Sequence, residues 1–299
     1  MNLLTKALLD QRRLLLGRRK PRQVRVVMRP PTSVIRLYYT LLARHLDDLQ
    51  AAALKVVNEG LPVVIRERSE TVNLDSWSDT LDKVLETMRL DLGGRKKLDV
   101  PLVLADIGQR TSKWHDAEWQ RTVHAVMGVK IPISEPGLVD RLKNFTATNA
   151  ALIKTQEARV VDFVENTVRA GVGAGRRHEE LAKELNKKFG VEKKHAKLIA
   201  RDQVSKLNGE LTEMRQRAVG IDTYYWETSD DARVRTGENK GSKSHQALDG
   251  MLCRWDDDTV YSDDEGRTWK PRSAINAYVG RPGQDFQCRC WARANFNFS

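Results

Sequence analysis

Apolar residues recur at intervals of three and four along most of the chain before Ile221, and that spacing predicts helices. After Pro30-Pro31, which breaks any helix before it, Ile35, Tyr38, Leu42, Leu46, Leu49, Ala53 and Val56 fall on one helical face. Asn73 or Asp75 could cap a second helix carrying Trp77, Leu81, Val84, Leu85 and Met88, with Gly93-Gly94 ending it. A third spans about Val103 to Met127, where Trp114 and Trp119 share the pattern of Ile107, Val123 and Val126. That company makes the two tryptophans core or interface anchors rather than a base-stacking platform. Pro132 and Pro136-Gly137 mark a linker. Then come a long helix from Asn144 to Arg169 ended by Gly171 and Gly173, a short one from His178 to Phe189 closed by Gly190, and another from about Glu192 to Arg217.

From Ile221 the pattern changes. Tyr224, Tyr225 and Trp226 favour a strand, and turn formers follow at Asp230-Asp231, Gly237, Gly241, Asp249-Gly250, Glu265-Gly266 and Pro282-Gly283. The expected fold class is α+β: a mostly helical N-terminal and central region, then a small C-terminal α+β module of short strands and long loops. The expected organisation is a basic arm (1–30), a helical domain (31–130), a linker (131–143), a second helical part (144–220) and the module (221–299).

Charge changes this picture at one end. The net charge is +11, yet residues 1–30 hold Lys6, Arg12, Arg13, Arg18, Arg19, Lys20, Arg22, Arg25 and Arg29 against Asp10 alone, an excess of +8. Such an arm is drawn to phosphates without regard to sequence, or docks on an acidic protein surface, or stays solvated; composition does not separate these. Leu3-Leu4 and Leu14-Leu15-Leu16 are interrupted by Lys6, Arg12 and Arg13, so neither a signal peptide nor a membrane span is expected. An odd count of three cysteines argues against a disulfide framework and for synthesis in a reducing cytoplasm.

The last third carries an ordered series of polar and turn residues that core packing alone does not require. Ile199-Ala200-Arg201-Asp202-Gln203 lies on a helix, followed by Trp226-Glu227-Thr228-Ser229 and Asp231-Ala232-Arg233-Val234-Arg235. His245, Leu248, Asp249 and Gly250 come next, then Pro282-Gly283 and Cys288-Arg289-Cys290. From Asn144 to Ala292 this series resembles the C-terminal domain of the phage Mu F-like head morphogenesis proteins, the minor head proteins of tailed phages. The Arg235 to His245 insertion is longer than that family usually has, and an acidic loop (Asp256, Asp257, Asp258, Asp263, Asp264, Glu265) matches no fixed family pattern. Residues 1–130 lie outside the resemblance. It implies a low-copy virion component of the phage head, assembled in the host cytoplasm with the portal and major capsid protein, and affecting DNA packaging or ejection. It implies no reaction and no catalytic residue; the arm would lie against packaged double-stranded DNA through Arg12, Arg13, Arg18, Arg19, Lys20, Arg22, Arg25 and Arg29.

Two constellations could carry chemistry. His245, Cys253, Cys288 and Cys290 have the composition of a closed structural zinc site, which would staple a loop-rich module with little core. Buried free thiols are the other reading. Arg233 and Arg235 alternate along a presumed strand, where they could hold a phosphate or carboxylate, or pair with Asp231, Asp249 or the acidic loop. Arg201 and Asp202 are expected to orient their helix against the module. An enzyme reading takes His245 as general base or metal ligand, Asp231 or Asp249 as its partner and Arg233 as phosphate holder, giving a metal-dependent nuclease or phosphotransferase. It lacks a second positioned histidine, since the six stand singly at 45, 115, 124, 178, 195 and 245, and it lacks a phosphate-cradling glycine loop. A DNA-binding accessory protein is the remaining alternative.

Overall fold

The computed structural model describes residues 28–70, 76–94, 99–128, 130, 135–238 and 242–296. Helices come first: α1 (Thr32–Lys55), α2 (Leu61–Glu70), α3 (Ser76–Gly94), α4 (Val100–Met127), α5 (Leu138–Gly173) and α6 (His178–Ala218). Short strands follow: β1 (Thr223–Thr228), β2 (Leu252–Arg254), β3 (Val260–Tyr261), β4 (Lys270–Pro271) and β5 (Cys290–Ala294). The chain is α+β, helical through Ala218 and built of short antiparallel strands beyond it. Among the described residues no helix is long and apolar enough to cross a membrane. The basic residues Arg12, Arg13, Arg18, Arg19, Lys20, Arg22 and Arg25, and the expected caps Asn73 and Asp75, lie outside the described residues.

Several boundaries differ from the sequence reading, each for a local reason. A π-helical turn, Val56–Gly60, separates α1 from α2. Pro62 has no N–H to continue the α-helical ladder, and the extra residue per turn accommodates it. Helix α5 begins at Leu138, directly after the Pro136-Gly137 turn, so residues 138–143 of the expected linker are helical. Its last turn is capped by Gly175, whose φ is +73°. Gly175 N donates to Val172 O and Arg176 N to Gly171 O, the paired bonds of a Schellman cap.

Gly190 does not close a helix. Helix α6 runs through it because Leu181, Leu185 and Phe189 on one side and Ala196, Ala200 and Val204 on the other continue one buried stripe. That burial outweighs the roughly 1 kcal/mol a mid-helix glycine costs. The helix stops instead at Gly220, where Gly220 N to Arg217 O and Ile221 N to Gln216 O repeat the Schellman pattern. The segment 231–235 is a turn rather than a strand: the Asp231 carboxylate accepts from Arg233 N and the Asp231 carbonyl from Val234 N, closing the chain on itself.

Two compact units are made of segments distant in sequence. One consists of described residues within Arg36–Asp106 and Asn144–Ala200. In it the fully buried Tyr38 donates to Asn149 Oδ1 (2.6 Å) and meets Phe145 edge-on. Arg68 on α2 donates to the carbonyls of Val172 and Gly173 (2.8 Å to the latter), satisfying the free end of α5.

The second unit consists of described residues within Met1–Ile35, Ile107–Lys143 and Arg201–Ser299. Trp119 is fully buried with Val123, Met127, Val219 and Ile221 and stacks on Phe296. Beside it lies a buried polar chain. Arg215 donates to Ser112 O, Ser112 Oγ and His115 Nδ1 (2.7 Å) and is paired with Glu135. Because a guanidinium only donates, His115 Nδ1 must accept, which leaves Nε2–H to donate to Thr212 Oγ (2.8 Å). His115 is therefore neutral, and burial first, then the Arg215 charge, hold its pKa well below the usual histidine value.

In the C-terminal module β1 is the centre of a three-stranded antiparallel sheet, order β2-β1-β5. Pairing sets Tyr224 opposite Cys253 and Ala294, Trp226 opposite Ala292, and Thr228 opposite Cys290. These residues share one face, since paired positions point the same way. That face, with Leu248, Trp255, Tyr261 and Ala277, is the module's core.

Candidate functional site

His245 is brought to the sheet by its own loop. Its N–H bonds to Arg235 O (2.9 Å), and it opens a 3-10 turn, Gln246–Leu248, that buries Leu248. Asp249-Gly250 then lies along β1: Asp249 Oδ1 accepts from Thr228 N (2.7 Å), and Gly250 N donates to Trp226 O. Gly250 has a φ of +73°, which its lack of a side chain permits.

Pro282-Gly283 is a close approach. The carbonyl of Pro282 lies where a β-carbon on Gly209 of α6 would stand, 2.7 Å away, and Gly283 (φ +86°) packs on Ser205 O. Glycines at both 209 and 283 let the loop touch the helix. From there Asp285 to Cys288 forms a turn, with Cys288 N bonded to Asp285 O and Gln287 at a φ of +54°. Cys288 thus points inward, and Cys290 starts β5 with its side chain in the core.

Three of the four sequence-selected donors meet. His245 Nδ1 is 3.5 Å from Cys288 Sγ and 3.5 Å from Cys290 Sγ, and all three residues are buried. The ring is clamped between Tyr278, stacked at 4.6 Å, and the edge of Trp226 at 5.8 Å. Its Nε2 is 3.1 Å from Asp285 Oδ2, a carboxylate also paired with Arg235. Since Asp285 can only accept, Nε2 carries a hydrogen, and Nδ1 is the ring nitrogen that faces the two sulfurs. Hydrogen bonding between the thiols splits their titration, pulling Cys288 below the ordinary cysteine value and pushing Cys290 above it. The first proton leaves the pair easily and the second does not.

Cys253 is not part of this group. Register places it opposite Tyr224, while Cys290 stands opposite Thr228, four residues further along β1 and on the other flanking strand. At about 3.3 Å per residue that is some 13 Å along the strand alone. Its thiol is buried beside Tyr224 and Arg272, and burial raises its pKa to about 11.

The remaining motif residues brace one another. Arg289 donates to Ser229 Oγ (3.1 Å) and pairs with Asp231. Arg235 pairs with Asp285 and donates to Phe286 O (2.7 Å), rather than with Asp231, Asp249 or the acidic loop. On α6, Asp202 accepts from Gln287 N and Arg201 donates to Gln287 Oε1, so this stretch of helix holds the turn that bears Cys288. Arg233 is exposed, with its side chain bordering a cavity of about 120 Å³ that Arg201, Arg235, Arg289, His245 and both cysteines also line. Burial and the like charges of Arg289 and Arg233 press Arg201 below the usual arginine range. The acidic loop is bonded within itself: Asp256 to Arg254, Asp263 to Lys270, Asp257 to Thr259, and Asp264 to Thr268, whose hydroxyl and N–H hold Asp264 well below the carboxylate range.

Two residues with central roles were not singled out by sequence. Asp285 orients His245; its only trace is its place three residues before Cys288. Arg272 is fully buried and donates to Val260 O (3.0 Å), Gly280 O (2.7 Å) and Tyr278 O (3.2 Å), with its guanidinium over the Trp226 ring. It ties strand β3 and the loop holding Tyr278 and Gly280 to the central sheet, and nothing in its sequence neighbourhood distinguishes it from a surface arginine.

Residues 162–293 match the family model described as Phage Mu protein F like protein. An uncharacterized protein of Haemophilus influenzae is 32% identical over 157 residues, which are 52% of this chain. The chain spans 30% of that relative's length. No solved structure matches the chain.

Proposed function

We propose, from the premise that residues 162–293 form a Phage Mu protein F-like domain of phage head morphogenesis proteins, that the chain is a minor structural protein of a tailed-phage head. It joins the procapsid at low copy number with the portal and major capsid protein, and acts by binding rather than by catalysis. One observation carries the reading: residues of the motif series are engaged in bonds with one another and with the turn before Cys288. Arg289 with Asp231, Arg235 with Asp285, Asp249 with β1 and Asp202 with the Gln287 turn lock loops to a helix and a sheet. A rigid, cross-linked loop surface suits a protein that must present one shape to a shell.

The basic arm extends this reading toward packaged DNA. Arg29, its last basic residue and the one described, sits over the Trp291 ring at 5.1 Å, which supports an arm rooted on the module. Arg12, Arg13, Arg18, Arg19, Lys20, Arg22 and Arg25 would then supply phosphate contacts with a steep dependence on salt.

Mass spectrometry of purified procapsids and mature particles, with cross-linking to neighbours, tests the proposal. The expected result is this chain in both particles at a few copies, cross-linked to portal or shell. Its absence from purified heads would refute the assignment, as would DNA cleavage by the pure protein that His245→Ala abolishes.

A further inference from the structure

The convergence of one histidine and two cysteines has a use beyond bracing, and it does not depend on the head-assembly reading. We infer that His245 Nδ1, Cys288 Sγ and Cys290 Sγ bind a single zinc ion, with the fourth coordination position facing the arginine-lined cavity.

The geometry is the first support. With zinc–sulfur bonds of about 2.3 Å and a zinc–nitrogen bond of about 2.0–2.1 Å, a tetrahedral ion sets nitrogen and sulfur about 3.5 Å apart. Both Nδ1–Sγ separations are 3.5 Å. The three donor atoms all lie within 4.8 Å of one another, so a single ion reaches all of them with small side-chain movements.

Valence is the second. With Nε2–H committed to Asp285, Nδ1 offers one lone pair. Only one thiol can donate along it, whereas one metal ion on that lone pair engages nitrogen and both equidistant sulfurs together. Thiolate and imidazole donors in a tetrahedral arrangement favour zinc over magnesium, calcium or manganese.

The surroundings are the third. A metal-bound histidine commonly gives its other N–H to a carboxylate, which fixes the ring and makes the ligating nitrogen more basic. Asp285 stands in that position and is itself held by Arg235. Gly283 N points at Cys288 Sγ at 3.4 Å. Trp226 Nε1 is buried with no hydrogen-bond partner among the described residues and lies beside Cys290, where a thiolate sulfur would accept from it.

Cys253 is too far along the sheet to complete the set, and every ligand residue borders the same cavity of about 120 Å³. Among the described residues, Arg201, Arg233, Arg235 and Arg289 line that cavity and no carboxylate does, so the fourth position is filled from solvent by water, hydroxide or a small anion. Two thiolates neutralise the ion, and the guanidiniums then favour the anionic choices.

The test uses the full chain, purified under reducing conditions, stripped with a chelator and reconstituted with zinc alone. Elemental analysis is expected to find about one zinc per chain, and absorption at the zinc edge to show two sulfur neighbours at about 2.3 Å with lighter nitrogen or oxygen neighbours. Cys253→Ser is expected to keep the full equivalent, while His245→Ala and Cys290→Ser each lose at least nine-tenths of it. Should those variants fail to fold, the unaltered chain still decides. Less than a tenth of an equivalent after reconstitution, or an absorption edge without sulfur neighbours, overturns the inference. Equal zinc retention by a folded His245→Ala variant overturns it as well.

Discussion

Replacing Arg272 by methionine keeps most of the volume of the side chain and removes its fork of donors, which isolates what that fork contributes. Its guanidinium, on a side chain with zero exposure, satisfies the carbonyls of Val260, Tyr278 and Gly280 and lies over the Trp226 ring at 5.4 Å. Each of these partly or fully buried carbonyls, left without a donor, costs about 1 kcal/mol at the low end, and the ring contact adds up to about 1 kcal/mol. Against this, methionine no longer carries the cost of dehydrating a charge whose described partners are neutral, so the sum falls to about 3 kcal/mol. At roughly 2–4 °C per kcal/mol the melting point drops by about 6–12 °C. Calorimetry and urea unfolding followed by tryptophan fluorescence read the change. Arg272→Lys is expected to recover less than half, because an ammonium cannot span three divergent carbonyls in one plane. A methionine variant within 1 kcal/mol of the unaltered protein would refute the reasoning, showing that water or loop movement satisfies the freed carbonyls.

Further expectations follow from the two buried polar groups and one close contact. His115 is neutral in the folded chain and its pKa is depressed, so the unfolded chain takes up the proton first as pH falls below about 6.5; stability is full above that value and lost below it. Between pH 7.5 and 5.5 this single group is expected to cost about 1.4 kcal/mol, and His115→Asn to remove that part of the slope in urea titrations at the two pH values. Gly209→Ala gains helix propensity worth about 1 kcal/mol but drives a methyl to within 2.7 Å of Pro282 O; a net loss of about 1–3 kcal/mol is expected, and a higher melting point would contradict the close approach. Tyr38→Phe leaves Asn149 Oδ1 buried without its donor and is expected to cost about 1–3 kcal/mol in urea unfolding, with no change in zinc content.

Much of the helical architecture could be read from residue order, because a helix declares its buried face every three or four positions and needs no distant partner to do so. The stripe of Tyr38, Leu42, Leu46 and Leu49 is of this kind, as are Leu81, Leu85 and Met88. Where helices end was less legible. Gly190 and Gly175 are the same residue type, and only the burial on both sides of Gly190 tells that the backbone continues there and turns at the other. The change of character at Ile221 was equally visible, since strand-forming aromatics and closely spaced turn residues are local signals. So was the chemistry of the site: histidine and cysteine are scarce enough that their clustering in the last third draws notice.

What residue order could not decide was which of those donors meet. Four candidates were compatible with a closed site, and antiparallel pairing across β1 separated Cys253 from Cys290, where His245 and Cys288 gather, by four positions along the central strand. Pairing register depends on contacts between segments far apart in the chain, and no local pattern encodes it. The same holds for Asp285, which becomes the partner of His245 across forty residues, and for Arg272, whose three carbonyls come from strand β3 and from the loop that holds Tyr278 and Gly280. Arg233 and Arg235 had the alternation of a strand, yet the Asp231 carboxylate offered the backbone a nearer partner than any neighbouring strand and the segment closed into a turn. Composition and periodicity thus determined the element types and the donor chemistry, while long-range pairing alone decided the constellation.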